Sequence, residues 1–149
     1  MKDIILETKD LCKSFKRPGG TQTVLNKMNL QIYEGKMLAI RGKSGNGKST
    51  LLNILAATMM ADSGAVLYRN TDLQKLSNSQ RARYRRERVG YIPQNLYLLD
   101  DRNVFMNIAL PLQYSGEKKE RIKKKSGRSC RVVRSHVSAG QSTTDIIER

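Results

Sequence analysis

The chain has 149 residues, of which 38% are hydrophobic and 28% are charged, so it can form a folded domain and is not a wholly disordered polymer. A membrane-spanning helix needs about 18 consecutive apolar residues, and no stretch of this sequence approaches that length. The first residues lack the pattern of a secretory signal. Cys12 and Cys130 have no second Cys or His at ligand spacing, so we predict free thiols in a reducing cytoplasm and no zinc site.

The net charge of +15 is spread unevenly along the chain. Residues 117–149 contribute +6 of it, although they make up less than a quarter of the length. A basic chain can contact nucleic acid, anionic lipid or the phosphates of a nucleotide. Charge alone does not choose among these partners.

Short apolar stretches in the first half of the chain predict strands. Residues 4–8 form one such stretch. Apolar and polar residues alternate over residues 26–33, which is typical of a half-buried strand. Residues 37–40 are a short apolar run, typical of a strand covered on both faces. A buried helix is predicted after residue 50, and a further strand at residues 65–68.

The second half of the chain is more polar. Residues 76–88 predict a short polar helix or a loop, rich in arginine. A strand is predicted at residues 89–94, stopping at Pro93, and a helix at residues 103–114, interrupted at Pro111. From residue 117 onward no helix or strand periodicity is sustained, which predicts a poorly ordered basic tail over residues 117–149.

A glycine-rich segment between residues 42 and 50 matches the phosphate-loop pattern Gly-x-x-x-x-Gly-Lys-Ser. Its glycines permit backbone angles closed to other residues, so that successive N–H groups can point at phosphate oxygens at a helix start. Such a lysine reaches the β- and γ-phosphates, and such a serine hydroxyl binds Mg²⁺. We therefore predict binding of ATP with Mg²⁺; the alternative is a glycine-rich turn in an ordinary α/β unit. The residues predicted to hold the nucleotide phosphates are Gly42, Lys43, Ser44, Gly45, Asn46, Gly47, Lys48, Ser49 and Thr50.

Several further segments resemble, in sequence and spacing, the ATP-binding subunits of ABC transporters. These segments are residues 11–15, 34–42, 62–64, 89–94 and 103–112. The arginines before residue 89 and the Leu-Pro-Leu at residues 110–112 look most like the subfamily that exports lipoproteins, macrolides or antimicrobial peptides.

The resemblance implies an α/β fold, a P-loop NTPase-like ABC ATPase core that is incomplete. It would contain an antiparallel β subdomain, the Walker A strand and helix, and the start of the helical subdomain. Residues 1–116 would be the N-terminal part of an ABC ATP-binding domain, and residues 117–149 a basic tail unlike the family.

The resemblance also implies roles for individual residues. Phe15 would stack on adenine, although it could instead be a core aromatic. Lys48 and Gln94 would be catalytic, and Ser49 and Gln94 would ligate Mg²⁺, although Gln94 could instead be a solvated residue at a strand end.

The chain departs from the family pattern after residue 117. No apolar run followed by Asp-Glu occurs after residue 94, so the Walker B motif is missing and we expect little or no ATP turnover. Residues 137–141 faintly resemble the family's signature motif, either as a remnant or by coincidence. We hypothesise that the tail arises from a shifted reading frame or a premature stop.

These features together predict the ATP-binding subunit of an ABC-type exporter, which couples ATP binding and hydrolysis to transport by a membrane permease. It would lie in the cytoplasm, peripherally on the inner face of the cell membrane. Complete relatives also pair with a second ATP-binding domain. The alternatives are a basic nucleic-acid-binding protein with a phosphate loop, or a non-functional truncated product. No specific nucleic acid is expected, because interleaved aromatic residues are lacking.

Overall fold

The computed structural model describes residues 3–92, 98–99 and 101–138, with side chains described up to residue 131. The chain divides into two compact units, Met1–Tyr91 and Ile92–Arg149. In the described part of the chain, no helix combines the length and the apolar character needed to cross a bilayer.

The first unit is built on a four-stranded antiparallel sheet in the order β2-β1-β3-β4. Strands β1 (Ile4–Arg17) and β2 (Gly20–Tyr33) form a long hairpin. Strand β3 (Ser63–Tyr68) pairs with the other edge of β1, and the short β4 (Thr71–Asp72) pairs with β3. The strands predicted at residues 4–8, 26–33 and 65–68 are confirmed, and the two hairpin strands extend well beyond their predicted bounds.

Two α-helices and a short 3-10 helix complete the first unit. Helix α1 (Lys48–Leu55) follows the glycine-rich segment, and helix α2 (Asn78–Arg88) carries the arginines. The 3-10 helix, Leu73–Lys75, follows β4. Ser77 caps the start of α2, because the Ser77 hydroxyl accepts from the N–H of Gln80 and the Gln80 side chain accepts from the N–H of Ser77.

The core of the first unit lies between one face of the sheet and α1. Its fully or nearly fully buried side chains include Leu11, Leu25, Leu51, Ile54 and Val66. Burial of each such side chain stabilises the fold by roughly 1.5–3 kcal/mol relative to exposure.

Tyr84 of α2 joins the same core. Its ring meets the Tyr68 ring edge-on, with centroids 5.2 Å apart, and its hydroxyl donates to the carbonyl oxygen of Leu55 at 3.3 Å. Burial, with a smaller contribution from Tyr68, raises the pKa of Tyr84 to about 12. The phenol therefore stays protonated at neutral pH and remains a hydrogen-bond donor.

Two predicted strands do not form among the described residues. Residues 37–40 form neither helix nor strand, and Met37 is 99% exposed. A strand gains its hydrogen bonds only from a neighbouring strand, and the described sheet places none beside this run. Residues 89–92 likewise lie outside the sheet, while Pro93 and Gln94 lie outside the described residues.

The second unit contains helices α3 (Val104–Tyr114) and α4 (Lys119–Ser138). The Asn103 side chain caps α3 by accepting from the N–H of Met106 at 2.9 Å. The predicted interruption at Pro111 is wrong, because α3 continues for a further turn and Ser115 donates its N–H to the Pro111 carbonyl at 3.0 Å. Helix α4 forms where we expected a poorly ordered tail, and its Ile122 and Ser126 are buried.

Gly127 lies inside α4, and a Cβ there would meet nothing within 4 Å. Glycine in a helix interior costs roughly 0.5–1 kcal/mol relative to alanine. We therefore expect Gly127→Ala to raise the free energy of unfolding by up to about 1 kcal/mol, measured as a higher urea midpoint by circular dichroism. Gly116→Ala is the matched control: its surroundings are equally open, but its φ of +76° disfavours a side chain, so the midpoint should fall. Equal shifts in both variants would contradict the expectation.

Candidate functional site

The glycine-rich segment leads directly into α1. Gly45 and Gly47 adopt left-handed backbone conformations, with φ of +83° and +78°. Gly47 is the N-cap of α1 and has no side chain to cap the helix, and the first turn of α1 holds no acidic residue. The first amides of α1 can therefore donate hydrogen bonds to a bound anion, which the positive end of the helix dipole also attracts.

Lys48, the first residue of α1, folds back over the loop. Its ammonium group donates to the carbonyl oxygens of Gly42 at 2.9 Å and Lys43 at 2.8 Å. These two bonds close the loop into a ring and hold a positive charge at its mouth. The backbone ring and the ammonium group together form a cradle suited to a polyanion such as a phosphate chain.

A bulge in the hairpin contacts the start of α1. Lys13 pairs with Leu25 and Ser14 pairs with Thr23, so Val24 is an extra residue in β2. A Cβ at Gly47 would lie 2.6 Å from Val24 Cγ1 and 3.0 Å from the Val24 carbonyl oxygen. Only glycine allows this close approach, which joins the loop to the hairpin.

Phe15 lies on β1 opposite Gln22, two positions along β2 from Val24. The bulge contact at Gly47 therefore brings this end of the hairpin to the loop. Phe15 is half-buried, and the Lys13 ammonium lies 5.5 Å from the centroid of its ring. The ring is thus already in a cation–π contact on one face, and a stacked base would use the other face.

The remaining predicted site residues fall into three groups. Ser49 and Thr50 lie in the first turn of α1, with Ser49 exposed and Thr50 half-buried. Exposed loop residues are Gly42, Lys43, Ser44, Gly45 and Asn46. Gln94 lies outside the described residues, so its assigned roles as Mg²⁺ ligand and catalytic residue stay predictions.

Asp62 lies near the site, although its sequence segment, residues 62–64, predicted no role for it beyond the family resemblance. Its Oδ1 accepts from the Lys13 ammonium at 2.6 Å, and its Oδ2 accepts from the Ser14 N–H at 2.7 Å. Asp62 therefore holds the stretch of β1 that precedes Phe15. No local pattern in the sequence connects these residues, because 49 positions separate Lys13 from Asp62.

The Lys13 hydrogen bond, followed by the Ser14 N–H bond, lowers the pKa of the Asp62 carboxyl from its ordinary value of 3.8. Because the carboxyl has a lower pKa in the folded chain than in the unfolded chain, its ionised form stabilises the fold at any pH above the unfolded-state pKa. This stabilisation is lost as the pH falls through the folded-state pKa. We expect Asp62→Asn to lower the urea midpoint at about pH 7, with the gap to wild type closing as pH drops below 3.8. Asp101→Asn in the second unit is the control. A gap that keeps its full size as the pH is lowered progressively below 3.8 would contradict this.

Comparisons with known proteins agree on one family. The family description "ABC transporter" matches residues 25–148, which extends past residue 117, where we expected the resemblance to end. The chain is 40% identical over 116 residues to the macrolide export ATP-binding/permease protein MacB of Vibrio parahaemolyticus, covering 78% of this chain and 18% of that protein. It is 39% identical over 114 residues to the lipoprotein-releasing system ATP-binding protein LolD of Colwellia psychrerythraea, covering 76% of this chain and 44% of that protein.

A solved structure shares the fold. The ATP-binding cassette MJ0796, in a dimeric post-hydrolysis state bound to ADP and Pi, aligns with a TM-score of 0.77 at 28% identity. The alignment covers 83% of this chain and 54% of that one. This chain thus spans about half the length of the cassette and of LolD, and 18% of MacB. The sequence resemblance and the fold class are confirmed, and the chain belongs to the ABC transporter family as part of an ATP-binding domain.

Proposed function

We propose that this chain is the nucleotide-binding part of an ABC-type exporter subunit and holds ATP with Mg²⁺ at residues 42–50. The observation that carries the proposal is the closed loop at the start of α1. There, two left-handed glycines and a lysine ammonium surround helix amides that no side chain caps. A triphosphate supplies the negative charge that this arrangement favours.

The residues present fit such a ligand. Backbone amides from Gly45 to Lys48 would bond phosphate oxygens, and the Lys48 ammonium would exchange its loop carbonyls for the phosphate chain. The Ser49 hydroxyl, exposed in the first turn of α1, would ligate Mg²⁺, which neutralises charge on the phosphates. Phe15 would stack against the adenine, and Gln94 would complete the metal site and orient a water.

The wider assembly is proposed from the relatives. MacB is named as an ATP-binding/permease protein and MJ0796 forms a dimeric cassette. By analogy this chain would work with a membrane permease and a second ATP-binding domain, on the cytoplasmic face of the membrane. Among these 149 residues no Asp-Glu follows an apolar run beyond residue 94, so we expect these residues on their own to bind ATP with little or no turnover.

Calorimetric titration of the purified chain with nucleotides tests the proposal. We expect saturable, Mg²⁺-dependent binding of ATP and far weaker binding of AMP, because AMP lacks the β- and γ-phosphates. The ATP affinity should fall far less between about 50 mM and about 500 mM NaCl than the affinity of a protein that binds a nucleic-acid backbone. Hydrogen bonds from backbone amides at the start of α1 act at short range, whereas backbone binding depends on release of counterions. Equal binding of AMP and ATP by the folded chain would refute the proposal.

A basic nucleic-acid-binding protein is the second candidate, favoured by the net charge of +15. Its affinity for duplex DNA would collapse over the same salt range, because backbone binding depends on release of counterions. Titrating duplex DNA beside ATP at both salt concentrations separates the two functions.

A further inference from the structure

Helix α4 carries a row of basic side chains along one face. The row consists of Arg121, Lys124, Arg128 and Arg131, which are all exposed. Their spacing of three, four and three residues keeps them within about 80° on a helix of 100° per residue, over a length of about 15 Å. We call these four residues the basic row.

The opposite face of α4 is occupied within the second unit. Ile122 is 8% exposed and Ser126 is fully buried, and α4 contacts α3. Both residues lie roughly 140–180° around the helix from the centre of the basic row. Over residues 119–131 the face of α4 that holds Ile122 and Ser126 is therefore packed within the unit, and the opposite face, which is exposed to solvent, is cationic.

Few acidic groups offset this charge. Glu117 accepts from the Lys125 ammonium at 2.7 Å and lies 3.6 Å from the Arg121 guanidinium, which stays 72% exposed. Glu120 lies at the edge of the basic row. The 13 residues from Lys119 to Arg131 nevertheless hold seven basic side chains and a single acidic side chain, that of Glu120.

We propose that the basic row adsorbs to an anionic phospholipid surface through the headgroup phosphates. A straight cationic row can meet a plane of phosphates along its whole length. Helix α4 has no Phe, Tyr or Trp between Lys119 and Ser138, so it lacks the aromatic side chains on which successive bases of a single strand stack. Membership in a transporter family favours a membrane surface over a nucleic acid as the polyanion.

Vesicle flotation of the purified chain, without nucleotide, tests the proposal separately from ATP binding. The probes are phosphatidylcholine vesicles with and without phosphatidylglycerol. We expect flotation only with the anionic vesicles and a steep loss between about 50 mM and about 500 mM NaCl. No flotation with anionic vesicles at the lower salt, or equal flotation with neutral ones, would overturn the proposal.

A matched pair of charge variants locates the contact. One variant changes the basic row to glutamine (R121Q, K124Q, R128Q, R131Q); the other changes four exposed basic residues of the first unit (K36Q, R69Q, K75Q, R83Q). Each contacting residue contributes about fivefold in partitioning. The row variant, which lacks all four, should therefore bind about 600-fold more weakly, and the control should bind nearly as well as wild type. Equal losses in the two variants would mean that net charge alone governs binding, which contradicts a specific row.

Duplex DNA serves as the competing polyanion. If the wild-type chain binds DNA more tightly than anionic vesicles at equal phosphate concentration, the lipid assignment is wrong.

Discussion

Replacing Lys48 with alanine is expected to weaken Mg²⁺–ATP binding by about 10- to 100-fold. Hydrogen bonds to charged groups contribute about 1.5–3 kcal/mol each, and Lys48 carries the ammonium group at the mouth of the loop. The substitution also removes the two bonds from that ammonium to the carbonyls of Gly42 and Lys43, so the loop loses its closure before any ligand arrives. Calorimetric titration of wild type and variant gives the affinity ratio directly.

Lys36→Ala is the control for this experiment. Lys36 is exposed and lies outside the loop, and its substitution removes the same charge as Lys48→Ala. Its affinity for ATP should stay within about twofold of wild type. If Lys48→Ala and Lys36→Ala bind ATP equally well, the ammonium of Lys48 does not hold the phosphates, and the loop assignment fails.

Replacing Gly47 with alanine is expected to lower the free energy of unfolding by about 2–5 kcal/mol. About 1–2 kcal/mol comes from a side chain at a left-handed φ of +78°. A further 1–3 kcal/mol or so comes from overlap with Val24, whose Cγ1 would lie 2.6 Å from the new Cβ. Urea unfolding followed by circular dichroism measures the sum.

Gly45→Ala separates these two contributions. Gly45 has almost the same backbone angle, φ of +83°, but a Cβ there would meet nothing within 4 Å. Its cost should be only the backbone strain. Adding Val24→Ala to Gly47→Ala should recover part of the difference, because it removes the Cγ1 atom while the carbonyl oxygen at 3.0 Å stays. Equal costs for Gly45→Ala and Gly47→Ala would show that the hairpin bulge does not bear on the loop.

The parts that the sequence predicted correctly depend on neighbouring residues. The phosphate-loop pattern places Gly47 and Lys48 at a helix start, and α1 does begin at Lys48. Alternation of apolar residues over residues 26–33 locates the second half of β2. Each of these features is decided by backbone preference or side-chain period within a few residues.

The parts that could not be predicted depend on residues far apart in the chain. Residues 37–40 have the composition of a central strand, but a strand forms only where a neighbour supplies hydrogen bonds. The bulge at Val24 and the Asp62 contact with Lys13 join positions that no local pattern relates. Helix α4 was not predicted because its buried face holds few apolar residues. Ile122 is followed on that face, four residues later, by Ser126.

Backbone amide shifts of the ¹⁵N-labelled chain during titration with Mg²⁺–ATP test the central claim most directly. If amides at the start of α1 hold the phosphates, the largest shifts should fall on Gly45, Gly47, Lys48 and Ser49, and AMP should leave these amides nearly unmoved. Shifts that concentrate on the basic row of α4, or no saturable shifts from a folded chain, would contradict the phosphate loop as the nucleotide site.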